Sequence, residues 1–190
     1  MGRKVCNCHT RFGGSSLRVI LTGASGYLGR HLLGCLLDRG IDVVVLGRTA
    51  PPRLSEITWI PTDLLDANST TNAVQQAKAT HLMQLAWYAE YGAFWSSRLN
   101  FDWVQATIRL LEAFCEANGR HAVMAGSCAE YDWSHGYLRE DSTPHKPHTT
   151  YGVAKAATRQ LAAAMCAPHG VSLSWGHIFF PFGPGEAPQR

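Results

Sequence analysis

The chain has 190 residues, 46% of them hydrophobic and 16% charged, which excludes a disordered acidic chain and allows one full hydrophobic core. Seventeen basic against fourteen acidic residues leave +3, and Arg3, Lys4 and Arg11, in a stretch without acids, carry that excess. From Leu17 onward the charges balance, so the sustained basic surface of a nucleic-acid binder is missing. The longest apolar stretches, such as 32–37 and 161–167, are far too short to cross a bilayer.

Residues 1–16 read as a basic, flexible tail ahead of one domain spanning 17–190. They hold no apolar run of the secretory kind, and Cys35, Cys115, Cys128 and Cys166 fall in apolar segments, where a thiol behaves as a small hydrophobe. A reducing, cytoplasmic setting is expected. Cys6, Cys8 and His9 lack a second ligand pair at zinc spacing, so no metal is assigned.

In chain order, residues 17–22 form an apolar strand closed by a glycine-rich turn. Leu28, Leu32, Leu33, Leu36 and Leu37 then recur at helical spacing over 27–39, before Gly40. Strands follow at 42–46 and 57–60, then a helix over 69–79 capped by Asn68 or Ser69. A strand at 81–86, a helix over 95–117, a strand at 121–126, an Ala-rich helix over 150–167 and a strand at 171–180 complete the series. Apolar strands alternating with helices predict a doubly wound α/β domain, its mostly parallel sheet covered on both faces.

The first turn reads Thr22-Gly23-Ala24-Ser25-Gly26-Tyr27-Leu28-Gly29. Gly23 permits a tight turn, Gly26 lets a pyrophosphate approach the backbone, and Gly29 lets helix pack on strand. The helix start adds unpaired N–H groups and a positive dipole end. This strand–turn–helix context predicts dinucleotide binding at Gly23, Ser25, Gly26, Tyr27, Leu28 and Gly29. After the second strand, Gly47-Arg48-Thr49 offers no acid for ribose hydroxyls, whereas Arg48 suits a 2′-phosphate. NADP is therefore expected over NAD, with NAD an accepted alternative.

Tyr151-Gly152-Val153-Ala154-Lys155 puts a phenol and an ammonium four residues apart on one helix face. A nearby cation favours phenolate and brings tyrosine toward a useful acid/base range. Ser127 follows the strand at 121–126 and so stands at the sheet edge where such folds bind ligands. These features resemble the extended short-chain dehydrogenase/reductases, the NAD(P)-dependent epimerase/dehydratase family, from about Leu17 to Gly185. The resemblance implies that Ser127, Tyr151 and Lys155 are catalytic: Ser127 would bond the substrate oxygen, Tyr151 exchange its proton, and Lys155 also hold the nicotinamide ribose. It implies further that Asp63 and Leu64 contact adenine, and that Leu85, Ala86 and Trp87 lie beside the nicotinamide ribose.

The loop Glu140–Pro147 and the Phe180–Gly185 turn match the family pattern as well. Two positions depart from it. Trp103 stands where the family has an asparagine, with Asn100 one turn earlier as a substitute, and His177 stands where arginine is common. Sugar dehydratases of this family carry Asp and Glu after the catalytic Ser/Thr, whereas Cys128 and Ala129 stand here and Glu130 comes one position late. The expected chemistry is therefore hydride transfer at a carbinol or keto carbon of a nucleotide sugar, by an epimerase or ketoreductase. The pattern also implies a largely missing C-terminal substrate lobe, and an exposed patch at Phe179, Phe180 and Phe182 that favours homodimers. A non-catalytic dinucleotide-binding module is the other reading left open. The aromatics Trp87, Tyr88, Tyr91, Phe94 and Trp95 either wall the substrate cleft or pack beneath a loop.

Overall fold

The computed structural model describes residues 17–51 and 53–186. Readings that fall on the first sixteen residues lie outside it. Among the described residues, the strands are β1 (Arg18–Thr22), β2 (Asp42–Gly47), β3 (Thr58–Pro61), β4 (His81–Gln84), β5 (His121–Ser127) and β6 (Ser172–Ile178). Between them lie α1 (Tyr27–Leu37), α2 (Ala67–Ala77), α3 (Leu99–Glu116) and α4 (Thr150–Cys166).

The sheet order is β3-β2-β1-β4-β5-β6 and all five pairings are parallel. Strand alternation divides the core. Ile20, Val44, Leu46 and Leu82 face a cluster with Leu110, Phe114 and Ala162, while Leu21, Val43 and Val45 face Leu33 and Leu36 of α1. Each fully buried Leu, Ile or Phe contributes about 1.5–3 kcal/mol, so both faces hold the sheet. The expected doubly wound architecture is present. No helix among the described residues is long and apolar enough to cross a membrane.

Of the boundaries that differ from those expected, two helix starts have a clear cause. Asp66 caps α2 by accepting from Ser69 N at 2.6 Å, so the helix starts before Asn68 and Ser69. Asp wins because its carboxylate also meets the positive end of the helix dipole. Helix α3 begins at Leu99, four residues after Trp95. Asn100 is fully buried and its Nδ2 donates to the carbonyls of Phe94 (2.7 Å) and Ser97 (2.8 Å), fixing the preceding segment as turns.

The order reverses direction at β1/β4, and crevices at such switch points bind ligands. The turn after β1, the segment after β4 and the end of β5 all meet at this edge of the sheet.

Candidate active site

At the switch point the chain must turn from β1 into α1 while passing the start of the next loop. Gly23 has φ +71°, and a Cβ there would lie 2.8 Å from Ala86 N. A Cβ on Gly29 would collide with the Gly23 carbonyl oxygen, so helix and turn touch through bare backbone. Gly26 N donates to the Gly23 carbonyl at 3.0 Å, and no side chain caps α1. The first N–H groups of α1 thus have no side-chain cap, and such a helix end favours an anion. Thr22 Oγ1 accepts from Leu85 N and Ala86 N, both at 3.2 Å, and ties this turn to the segment after β4. Sequence reasoning missed that tether, although a threonine just before the glycine turn is its signal.

These elements frame a cleft of about 1060 Å³ that runs from Arg48, Asp63 and Leu64 past the glycine turn to Ser127, Tyr151 and Lys155. Ser25, Tyr27, Leu28, Leu85, Ala86 and Trp87 also line it. One cavity therefore unites all the site residues expected from sequence. Its volume and its uncapped helix end fit an extended dinucleotide with room beside it. Asp63 Oδ1 accepts from Leu65 N at 3.1 Å, so the aspartate shapes its own turn while facing the cleft. Arg48 is exposed at the end of β2.

Lys155 is 3% exposed, and its Nζ donates to the Ala125 carbonyl at 2.8 Å while lying 3.8 Å from the centre of the Trp87 ring. Burial lowers its pKa to about 7, opposed by the charge of Glu130. The unfolded lysine, near 10.4, keeps its proton where the folded one has lost it, so stability rises with pH between these values and the full cost is present below about 7. Wild-type resistance to urea is therefore expected to climb from pH 7 to 9 relative to Lys155→Met. Parallel stability profiles for the two proteins would contradict a buried lysine with a lowered pKa.

Ser127 caps the 3-10 turn Cys128–Glu130, with Oγ accepting from Ala129 N at 3.2 Å. Glu130 is fully buried, and its Oε1 accepts from Ser127 N (2.9 Å) and Trp175 Nε1 (3.0 Å). Its Oε2 takes Arg159 Nε at 3.2 Å and lies 3.3 Å from His177 Nε2. Burial alone would raise this carboxyl. The bonds from His177, Ser127 and Trp175 outweigh that and hold it below the ordinary carboxylate range. Glu130 thus braces Ser127 from behind and does not line the cleft, in accord with its late position in the sequence. Burial pushes the neighbouring Cys128 thiol up, so it stays protonated near neutrality.

Asn100 does not fill the role of the displaced family asparagine. Its Oδ1 accepts from Trp87 Nε1 at 2.9 Å, and its amide is spent on the turn above, so it is a tether. Trp103 lies in the cleft wall, 6.3 Å from Trp87 between ring centres. Trp87, Tyr91, Phe94 and Trp95 also wall the cleft, whereas Tyr88 turns aside and donates to Glu90 Oε2 at 2.8 Å. Phe179, Phe180 and Phe182 are 47%, 70% and 89% exposed at its mouth, as expected from sequence.

A parallel sheet in this order, with a glycine turn at its switch point, defines a Rossmann-type fold. Residues 19–190 match the NAD dependent epimerase/dehydratase family, and the chain belongs to it.

The chain is 30% identical over 149 residues to the dTDP-6-deoxy-L-talose 4-dehydrogenase (NAD(+)) of Aggregatibacter actinomycetemcomitans, covering 76% of this chain and 53% of that one. It is 26% identical over 190 residues to UDP-glucuronate 4-epimerase 3 of Arabidopsis thaliana, covering 90% and 44%. Among solved structures, MoeE5 in complex with UDP-glucuronic acid and NAD matches with a TM-score of 0.74 and 31% identity, over 91% of this chain and 58% of that one. The UDP-glucose 4-epimerase of Thermus thermophilus, in complex with NAD, shares the fold with a TM-score of 0.70 at 24% identity, over 83% and 53%. The chain spans about half the length of the curated relatives it matches.

Proposed function

We propose that this chain carries the cofactor site and the acid/base residues of an oxidoreductase or epimerase acting on a carbinol or keto carbon of a nucleotide sugar. The observation that carries the reading is the single cleft joining the uncapped helix end at Gly26 to Ser127, Tyr151 and Lys155. The glycine turn at Gly23, Gly26 and Gly29 together with Lys155 would hold a nicotinamide dinucleotide, which would supply the hydride acceptor. The chain does the rest: Ser127 Oγ holds the sugar oxygen, and Tyr151 takes the hydroxyl proton as the C–H hydride leaves, giving a ketone. Reversal on the same face restores the alcohol, and reversal after the sugar turns gives its epimer.

Lys155 acts on both partners. In its protonated form it lowers the cost of the Tyr151 phenolate, and it reaches the ribose hydroxyls once it leaves the Ala125 carbonyl. Mass spectrometry of the protein purified under non-denaturing conditions tests the reading. A nicotinamide dinucleotide or a nucleotide sugar is expected to travel with the chain, and a different ligand class in the cleft would count against it.

For the cofactor, the relatives' names speak of NAD, while the strand end here carries Arg48 and no acid, which supports NADP. Calorimetry with both cofactors on wild type and Arg48→Ala decides between them. Loss of a charge-assisted contact of roughly 1.5–3 kcal/mol is expected to weaken NADP binding by about ten- to a hundredfold and leave NAD nearly unchanged. Equal losses would mean that Arg48 does not read the 2′-phosphate.

The four described cysteines are free thiols, which supports a reducing, cytoplasmic setting. The exposed phenylalanines at the cleft mouth support association into a homodimer.

A further inference from the structure

Behind Ser127, three side chains that can ligate a metal converge from distant parts of the chain. Glu130 comes from the turn after β5, His177 from β6 and His145 from the loop before α4. Glu130 Oε2 lies 3.3 Å from His177 Nε2, which lies 3.3 Å from His145 Nε2. The three ligand atoms all fall within 4.8 Å of one another, and none of these residues lines the cleft. Both contacts are longer than a good N–H hydrogen bond of about 2.7–3.2 Å. They match the edge of a coordination tetrahedron: zinc bonds of about 2.0–2.1 Å set neighbouring ligand atoms about 3.3–3.4 Å apart. The remaining edge, between Glu130 and the exposed His145, closes as that imidazole slides on the ring beneath it.

The surroundings orient each ligand. Tyr131 stacks on His145 at 4.7 Å between ring centres, and the two residues are also joined by a backbone bridge. The Tyr131 hydroxyl lies 3.3 Å from His177 Nδ1. A proton on Nδ1, shared with that oxygen, leaves the Nε2 lone pair facing the other two ligands. Glu130 Oε1 is taken by Ser127 N and Trp175 Nε1, which turns Oε2 toward His177. Arg159 Nε occupies one lone pair of Oε2 at 3.2 Å and leaves the second. Its charge opposes a cation, so the site requires a metal that bonds strongly to imidazole. Two nitrogens and one oxygen suit zinc, whereas calcium and magnesium take oxygens.

We propose that Glu130, His145 and His177 form a zinc site, entered from solvent past His145 and completed by a water or a small anion. The bound ion clips the loop that leads into α4 onto β6 and onto the turn that braces Ser127. It stands one carboxylate away from the Ser127 backbone.

The test is calorimetric titration of zinc into the chelator-treated full chain, with cobalt(II) as a spectroscopic stand-in. One zinc per chain is expected, and cobalt is expected to show the strong visible bands of a tetrahedral ion without a sulfur-to-cobalt charge-transfer band. Cys6→Ser with Cys8→Ser is expected to leave this binding unchanged. His145→Ala, at an exposed position, is expected to fold, as circular dichroism would verify, and to lose at least about a hundredfold in zinc affinity. Tyr131→Phe keeps the stacked ring, loses the oxygen beside His177 and is expected to weaken zinc about tenfold. No saturable binding would overturn the proposal. So would binding that survives His145→Ala, or binding that carries the sulfur band and vanishes with Cys6 and Cys8.

Discussion

Tyr151→Phe is expected to lower turnover of the nucleotide sugar by about 10²–10⁴-fold, the usual contribution of a positioned acid/base group. The substitution removes one oxygen and keeps the ring, so the contacts with Phe94, Trp95 and Trp87 persist. The backbone bond from Tyr151 N to the Trp95 carbonyl persists too. Cofactor affinity should therefore change little, because Lys155, the residue proposed to hold the ribose, is untouched. The pattern separates chemistry from architecture: a fall in turnover with dinucleotide binding intact places the phenol on the reaction path. Undiminished turnover would remove Tyr151 from it.

Gly29→Ala is expected to cost about 3 kcal/mol of stability in urea denaturation and to weaken dinucleotide binding at least about tenfold. The new methyl would meet the Gly23 carbonyl oxygen and the Ala24 Cα, both main-chain atoms that no rotamer change can move aside. Relief requires lifting α1 off the turn, and that lift would carry the helix N–H groups away from a pyrophosphate bound as proposed. Gly34→Ala on the same helix is the control. Nothing lies within 4 Å of its added methyl, so it should be neutral or stabilise by about 0.5–1 kcal/mol. Equal stability of Gly29→Ala and wild type would show that the helix does not rest on the turn.

Much of this architecture could be read from the chain because its signals are local. The glycine spacing after β1, the four-residue interval from Tyr151 to Lys155 and the alternation of apolar strands with amphipathic helices each depend on neighbours a few residues apart. What escaped depends on distant partners or on close competition. The α2 cap was expected at Asn68 or Ser69, and Asp66, just upstream, takes it because its carboxylate also meets the helix dipole. The start of α3 was hidden because residues 95–98 carry no breaker, and Asn100 takes the carbonyls that would continue the helix backward. Glu130 looked like a misplaced catalytic acid. Its burial and its grip on Ser127 rest on Trp175 and His177, more than forty residues away.

His177 gives that brace its own chemistry. Where the family commonly has an arginine, a histidine lies 3.3 Å from the buried carboxylate, within reach also of the Tyr131 hydroxyl and His145 Nε2, each at 3.3 Å. Arg159 supplies the permanent positive charge, so the carboxylate keeps a counter-charge whatever the state of the imidazole.

The most direct measurement follows the hydrogen itself. The purified chain, given oxidised nicotinamide dinucleotide and a nucleotide sugar deuterated at the carbinol carbon, should yield reduced cofactor carrying the deuterium, formed more slowly than from the protiated sugar. Tight cofactor binding with no deuterium on the nicotinamide, for any nucleotide sugar that binds, would contradict hydride transfer in this cleft and leave a dinucleotide-binding module in its place.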